Sequence, residues 1–333
     1  MFFNPAIIGL ISCSLLVSIV TIYGSITGIT IIRSWDIKSG SDKQLVLERK
    51  TYLVSTVVSY VMLCELLSLF LFISTADRIH PLFTGAMCAA GTLNANNFGY
   101  ITLMAKTVAF ILAGIWLIVN YIDNKGYDYP LIRFKYLFLL LITMLILFET
   151  VLQFKYLIGL DPEIITSCCG ALFSEDAESI LGEVAHLEHL GTGIAYYLTL
   201  LLTLGMGVYF YRSGKGAIMF ALSSTGLFFI SMAAIISFIS LYFYELPTHH
   251  CPFCILQEDY HYIGYLLYLS LLTGVITGGG VGLVNPFRKK ASLKNILPMM
   301  QKKFCFVAML GHAVFAIIST YRILFSDFKL GGY

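Results

Sequence analysis

The chain has 333 residues, of which 58% are hydrophobic and only 12% are charged, and its mean hydropathy is +0.83. This composition excludes an ordinary soluble domain, and a net charge of +2 is too small to indicate nucleic-acid binding. We therefore expect an all-α, polytopic integral membrane protein whose helices contact lipid.

Eight apolar segments are long enough to cross about 30 Å of hydrocarbon as helices. In chain order they are residues 5–32, 51–75, 101–122, 134–160, 190–211, 217–244, 261–284 and 304–324. The first segment lacks the basic start and the cleavage site of a secretory signal, so we interpret it as a retained span. The sequence thus predicts one transmembrane domain over residues 1–333.

Lysine and arginine are concentrated in alternate connections. Sixteen of the 21 follow the first, third, fifth or seventh apolar segment, with Lys135, at the edge of the fourth segment, counted in the connection that precedes it. The positive-inside rule makes those connections cytoplasmic, with both termini outside. Three outer segments, residues 76–100, 161–189 and 245–260, then face the periplasm of a bacterial inner membrane. The spacing from Cys88 to Tyr100 resembles that from Cys254 to Tyr265, which suggests a weak four-plus-four internal repeat.

Five of the eight cysteines lie in these outer segments. They are Cys88, the adjacent Cys168 and Cys169, and the C-x-x-C pair Cys251 and Cys254. Thiols at C-x-x-C spacing form a small-ring disulfide or hold a metal, and a start of the seventh helix at His261 would favour the thiolate. Adjacent cysteines form a strained disulfide or neighbouring soft ligands. The small, polar stretch 85–100 predicts an ordered loop rather than a helix, placing Cys88 in a shared site.

Six of the seven histidines are also expected outside or at outer helix ends. His186 and His189 have i, i+3 spacing, which predicts that they share one helical face. With His249 and His250 they are candidate metal ligands. The alternative for any single histidine is an amphipathic role at the lipid interface.

Three ionisable residues are predicted deep within spans, namely Glu65, Lys106 and Glu149. A charge at that depth costs a few kcal/mol or more, so it pairs, faces protein or lines a path. An ion pair between Lys106 and one of the two glutamates is one interpretation. A proton route, or a polar anchor for a quinone headgroup, is the other.

The stretch Cys251-Pro252-Phe253-Cys254-Ile255-Leu256-Gln257 resembles membrane thiol oxidases of the disulfide-bond protein B and vitamin K epoxide reductase families. The resemblance implies that Cys251 and Cys254 react beside a quinone. It also implies that Cys168 with Cys169, or Cys88, passes electrons to a periplasmic thioredoxin-like partner. Gln257, Lys106, Glu65 and Glu149 are then the candidate quinone contacts. Those families form four-helix bundles, whereas eight spans are predicted here.

Three functions stay open at this point. The first is electron exchange between periplasmic thiols and membrane quinone through the C-x-x-C pair. The second is a metal- or haem-associated membrane subunit for electron transfer, assembly or transport, with a cytochrome among its candidate partners. C-x-x-C-H haem attachment is excluded because Ile255 follows Cys254. The third is an anchor in a larger membrane complex, with outer disulfides that staple its loops.

Overall fold

The computed structural model describes residues 4–161, 163–166 and 180–329. Within these residues all regular structure is helical, and eight helical segments are long and apolar enough to cross a membrane. The multi-pass, all-α class is thereby confirmed, whereas the side that each connection faces and the internal repeat stay predictions. The long helices are α1 (Pro5–Ser34), α2 (Asp42–Arg78), α4 (Gly99–Asp123), α5 (Ile132–Ile158), α7 (His189–Ser213), α8 (Ala217–Ala234), α10 (Ile263–Leu283) and α11 (Ile296–Phe325).

Three shorter helices lie between them: α3 (Ala89–Leu93), α6 (Ile180–Ala185) and α9 (Ser240–Tyr244). The sequence predicted a loop where α3 lies, so that prediction is wrong. A π-helical turn, Ile235–Ile239, joins α8 to α9 within one membrane-length segment. π-Turns inside α-helices are rare and often mark functional sites.

Helices α2 and α11 begin well before the predicted residues 51 and 304. The first turn of α2 is polar, and in α11 the polar run Gln301-Lys302-Lys303 interrupts the apolar sequence, so hydropathy finds only part of each helix. In α2 the Gln44 side chain donates to Glu48 Oε1 at 3.0 Å, a one-turn contact that stabilises the polar start.

The chain divides into two compact units. Unit 1 comprises residues 1–75, 96–160 and 286–300, and unit 2 comprises residues 76–95, 161–285 and 301–333. The core of unit 1 surrounds Trp116 and Tyr136, which are fully buried. The single-domain interpretation stays a prediction.

Unit 1 contains two buried ion pairs. Lys106 Nζ lies 2.5 Å from Glu149 Oε1 and donates to Ser68 Oγ at 2.6 Å. The predicted pairing of Lys106 with an intramembrane glutamate is therefore confirmed, with Glu149 as the partner. Lys135, predicted in a connection, instead lies in α5 with its Nζ 2.6 Å from Asp123 Oδ2.

In unit 2, glycines every four residues along α10 let neighbouring helices approach closely. A Cβ atom built on Gly278 would lie 2.3 Å from Ser224 Oγ of α8, closer than any van der Waals contact allows. Small residues at this spacing are a general means of packing membrane helices, because the gain comes from van der Waals contact rather than from water exclusion.

Gly278→Ala should therefore destabilise the protein by about 1–3 kcal/mol, the usual cost of overpacking a core. Gly226→Ala in α8 is the matched control, because its added Cβ meets nothing within 4 Å. Unfolding in mixed detergent micelles measures both variants. Equal stability of the two would contradict the close packing of α8 and α10.

Candidate functional site

Three of the predicted cysteines converge in unit 2. The sulfur atoms of Cys88, Cys251 and Cys254 all lie within 4.8 Å of one another, and all three residues are buried. Cys88 Sγ and Cys251 Sγ are 3.5 Å apart, beyond the covalent S–S length of about 2.05 Å. We call these residues the thiol trio. They come from two segments far apart in sequence, so the fold is what assembles them.

Asp77, near the end of α2, holds the two segments together. Its Oδ1 accepts hydrogen bonds from the Ala89 backbone N–H at 3.2 Å and from Gln257 Nε2 at 2.9 Å. Gln257 Nε2 also donates to the Met87 carbonyl at 3.3 Å. The amide of Gln257, a predicted quinone contact, thus links the Cys88 segment to the C-x-x-C segment.

Two tyrosines fix the backbone of the C-x-x-C loop. The Tyr244 hydroxyl donates to the Cys251 carbonyl at 2.5 Å and accepts the Ile255 backbone N–H at 3.0 Å. The Tyr268 hydroxyl donates to the Pro252 carbonyl at 2.6 Å. Each hydroxyl satisfies buried backbone groups that have no helical partner, so the loop is held in one conformation.

The C-x-x-C pair does not lie at a helix N-terminus, and that prediction is wrong. Cys254 begins a 3₁₀ turn that ends at Leu256, and α10 begins only at Ile263. His261 and Tyr262 precede it with φ of 52° and 55°, a left-handed conformation that breaks the path into the helix. Because the helix dipole acts only within the first turn, it gives no reason for a thiolate at Cys254.

His249 lies beside the thiol trio. Its Nε2 is 3.4 Å from Cys254 Sγ, and its ring packs edge-on against Tyr244 with centroids 4.3 Å apart. An imidazole and three thiols are therefore present in one buried region of unit 2.

The other three candidate histidines form a separate cluster, which we call the imidazole trio: His186, His189 and His250. The His250 ring centroid lies 6.0 Å from that of His186 and 6.3 Å from that of His189. The predicted shared helical face is wrong, since His186 follows α6 and His189 begins α7. Their proximity comes instead from the way both rings approach His250.

Burial lowers the pKa of His250, and the neighbouring imidazoles of His189 and His186 lower it further, against the opposing effect of the Ile236 carbonyl. The neutral form of His250 is thereby favoured.

The remaining predicted residues lie elsewhere. Glu65, Lys106 and Glu149 are in unit 1, whereas the thiol trio is in unit 2. Cys168 and Cys169 lie outside the described residues. Asp77 and Tyr244 were not predicted, because an acidic residue at a helix end and a tyrosine at a span end are common in membrane proteins.

No family model, curated protein or solved structure matches this chain.

Proposed function

We propose that the thiol trio binds one thiolate-preferring metal ion, Zn(II) or Cu(I), and that the protein is a metal-associated multi-pass membrane protein. The observation that carries this proposal is the convergence of three buried sulfurs within 4.8 Å of one another. Metal–sulfur bonds of about 2.3 Å place thiolates roughly 3.8–4.0 Å apart around one ion. The trio needs only a small adjustment to reach that spacing.

Burial favours metal ligation over exchange with a partner protein. Cys88 and Cys251 are 0% exposed and Cys254 is 6% exposed. Thiol–disulfide exchange requires an incoming sulfur to reach the attacked one, whereas a metal ion enclosed by three ligands requires no such access. Thiolates select Zn(II) and Cu(I) over hard cations.

The presence of His249 bears on which of the two candidate ions, Zn(II) or Cu(I), the site prefers. Zn(II) takes four ligands, and a Cys₃His set is common in its structural sites. Cu(I) has one charge fewer, so three buried thiolates around it retain a larger negative charge, which is costly in an apolar region. His249 Nε2 lies near Cys254 Sγ but outside the group of ligand atoms that are all within 4.8 Å of one another, so its ring would have to approach the other two sulfurs to become the fourth ligand of Zn(II).

The test is metal binding to the purified, reduced protein, measured by stoichiometry and by competition with a chelator. We expect one ion per chain. Cys88→Ser, Cys251→Ser and Cys254→Ser should each lower affinity at least about 100-fold, the upper range for losing a group that only orients a ligand. His249→Ala should weaken Zn(II) and leave Cu(I) bound. Cys305→Ser is the control, because that thiol is buried in unit 2 but donates to the Gly207 carbonyl.

Wild-type affinity in all three trio variants, or equal loss in Cys305→Ser, would overturn the proposal.

Thiol–disulfide chemistry linked to a quinone is the second candidate, favoured by the 3.5 Å separation of Cys88 Sγ and Cys251 Sγ. There, two thiols would lose two protons and two electrons as the S–S bond forms, and a quinone would take them up as quinol. A trapped disulfide that cycles with quinone, in protein that binds no metal, would support this second candidate.

A further inference from the structure

We infer that the imidazole trio is a second metal site, for a divalent cation of borderline softness such as Ni(II), Co(II) or Zn(II). It shares no residue with the thiol trio, and it stands or falls independently of the function proposed above. Imidazole is a ligand that suits these cations.

The hydrogen bonds of the three rings determine their tautomers. His186 Nδ1 lies 2.9 Å from the Gly182 carbonyl, and His250 Nδ1 lies 2.9 Å from the Ile236 carbonyl. A carbonyl oxygen only accepts, so each Nδ1 carries a hydrogen. In the neutral ring, Nε2 then carries the lone pair.

The tautomer of His189 is determined by its contact with a hydroxyl group. Its Nδ1 lies 3.3 Å from Ser237 Oγ, and Ser237 Oγ donates its single hydrogen to the Leu187 carbonyl at 3.3 Å. Because the serine hydrogen is already used, His189 Nδ1 must be the donor. All three rings therefore have Nε2 as their lone-pair nitrogen.

This pattern is the one found at metal-bound histidines. A ligating histidine almost always donates its other ring N–H to a carbonyl, carboxylate or water, which fixes the tautomer and orients the ring. Two of the three acceptors here, the Ile236 carbonyl and Ser237 Oγ, belong to the π-helical turn. The irregular turn thus accounts for the orientation of His189 and His250.

The rings must close on one another to share an ion, because among the residues that the structure describes only the thiol trio has all its ligand atoms within 4.8 Å of one another. Two imidazoles bound through Nε2 to a tetrahedral ion, with bonds of about 2.0–2.1 Å, have ring centroids roughly 5 Å apart. The observed 6.0 and 6.3 Å are about 1 Å longer. His250 is buried while His186 is exposed, so the exposed ring can move to complete the site and solvent can supply the remaining ligand.

The experiment is titration with Ni(II) and Co(II) of a protein that carries Cys88→Ser, Cys251→Ser and Cys254→Ser together, so that the thiol trio cannot contribute. We expect one ion per chain, with a Co(II) spectrum free of thiolate charge-transfer absorption. In this background, His186→Asn, His189→Asn and His250→Asn should each lower affinity at least about tenfold. Asparagine supplies an N–H where Nδ1 donates and removes Nε2, so it tests ligation rather than folding.

His261→Asn is the matched control, because His261 has a left-handed backbone that asparagine tolerates. Its Ni(II) affinity should be unchanged. Thermal unfolding of each variant checks that the fold is retained, and the exposed His186 gives a variant with little risk to folding. Either of two results would overturn the inference, even if the thiol trio binds Zn(II). One is undiminished Ni(II) binding in the three asparagine variants, and the other is no Ni(II) binding by the triple cysteine variant from which they are made.

Discussion

Replacing Lys106 with methionine should lower the free energy of unfolding of unit 1 by about 3–5 kcal/mol, the usual cost of removing one partner of a buried ion pair. Lys106 is 0% exposed, and its ammonium group contacts both Glu149 and Ser68. Without it, the Glu149 carboxylate stays buried with no compensating charge from Lys106.

Glu65 lies beside this ion pair. It is buried in α2, and its carboxyl group is hydrogen-bonded to that of Glu149. Lys106→Met therefore leaves two hydrogen-bonded carboxyl groups in an apolar region without the cation that Lys106 supplies. The double variant Lys106→Met, Glu149→Leu removes the carboxylate that Lys106 neutralises. It should recover at least half of the lost stability, because apolar replacements of a buried pair are often neutral.

Tryptophan fluorescence during detergent unfolding measures these variants directly. The chain has two tryptophans, Trp35 and Trp116, and both lie in the core of unit 1 with the ion pair. Lys125→Met is the control, since Lys125 is exposed just after α4 and should change stability by less than about 0.5 kcal/mol. A Lys106→Met variant as stable as Lys125→Met would show that the pair contributes little. A double variant no better than Lys106→Met would rule out an unpaired charge as the cause.

Hydropathy was sufficient to find all eight spans, because membrane-crossing helices need long apolar surfaces. It was insufficient for helix ends such as Asp42 and Ile296, because helical hydrogen bonds continue through the polar start of α2 and through the polar residues 301–303 of α11. The Lys106–Glu149 pair was also predictable, since an intramembrane charge has few alternatives to a partner of opposite sign. Lys135 was misplaced because a lysine near a span end is usually solvated, and only the tertiary contact with Asp123 shows otherwise.

The site was predictable in composition and less so in arrangement. The bias of cysteine and histidine toward the outer segments indicated Cys88, Cys251 and Cys254 as neighbours, and the structure brings them together. Two predictions are wrong because the spacing rules assume a regular helix. The helix is interrupted between His186 and His189, and 3₁₀ turns separate Cys254 from the start of α10. Which histidines lie beside the thiol trio and which form the imidazole trio depends on tertiary contacts that no local sequence pattern encodes.

Tyr244→Phe should disrupt the thiol trio while leaving its three cysteines and His249 in the sequence. The variant removes one oxygen atom and keeps the ring against His249. It leaves the Cys251 carbonyl and the Ile255 N–H without the hydroxyl that bonds both, and these residues are fully buried. Losing the hydrogen bonds of a buried group costs about 1–3 kcal/mol.

The loss falls on the loop that positions two of the three sulfurs. We therefore expect Zn(II) affinity to fall about 10–100-fold, as it does when a group that orients a metal ligand is removed. The rate of Cys251 alkylation in the metal-free protein should rise as well, because the loop opens more often. The alkylation rate tests the role of the hydroxyl even if the trio binds no metal.

Two further tyrosine variants calibrate the result. Tyr268→Phe removes one hydrogen bond to the same loop, so its effects should have the same sign and be smaller. Tyr321→Phe changes an exposed tyrosine of unit 2 and should leave both the affinity and the alkylation rate unchanged. If Tyr244→Phe behaves like Tyr321→Phe in both measurements, the hydroxyl does not hold the loop. If Tyr244→Phe raises the alkylation rate but leaves the Zn(II) affinity unchanged, the hydroxyl holds the loop and the metal proposal fails. A variant whose C-x-x-C loop opens more often cannot keep an enclosed ion at full affinity.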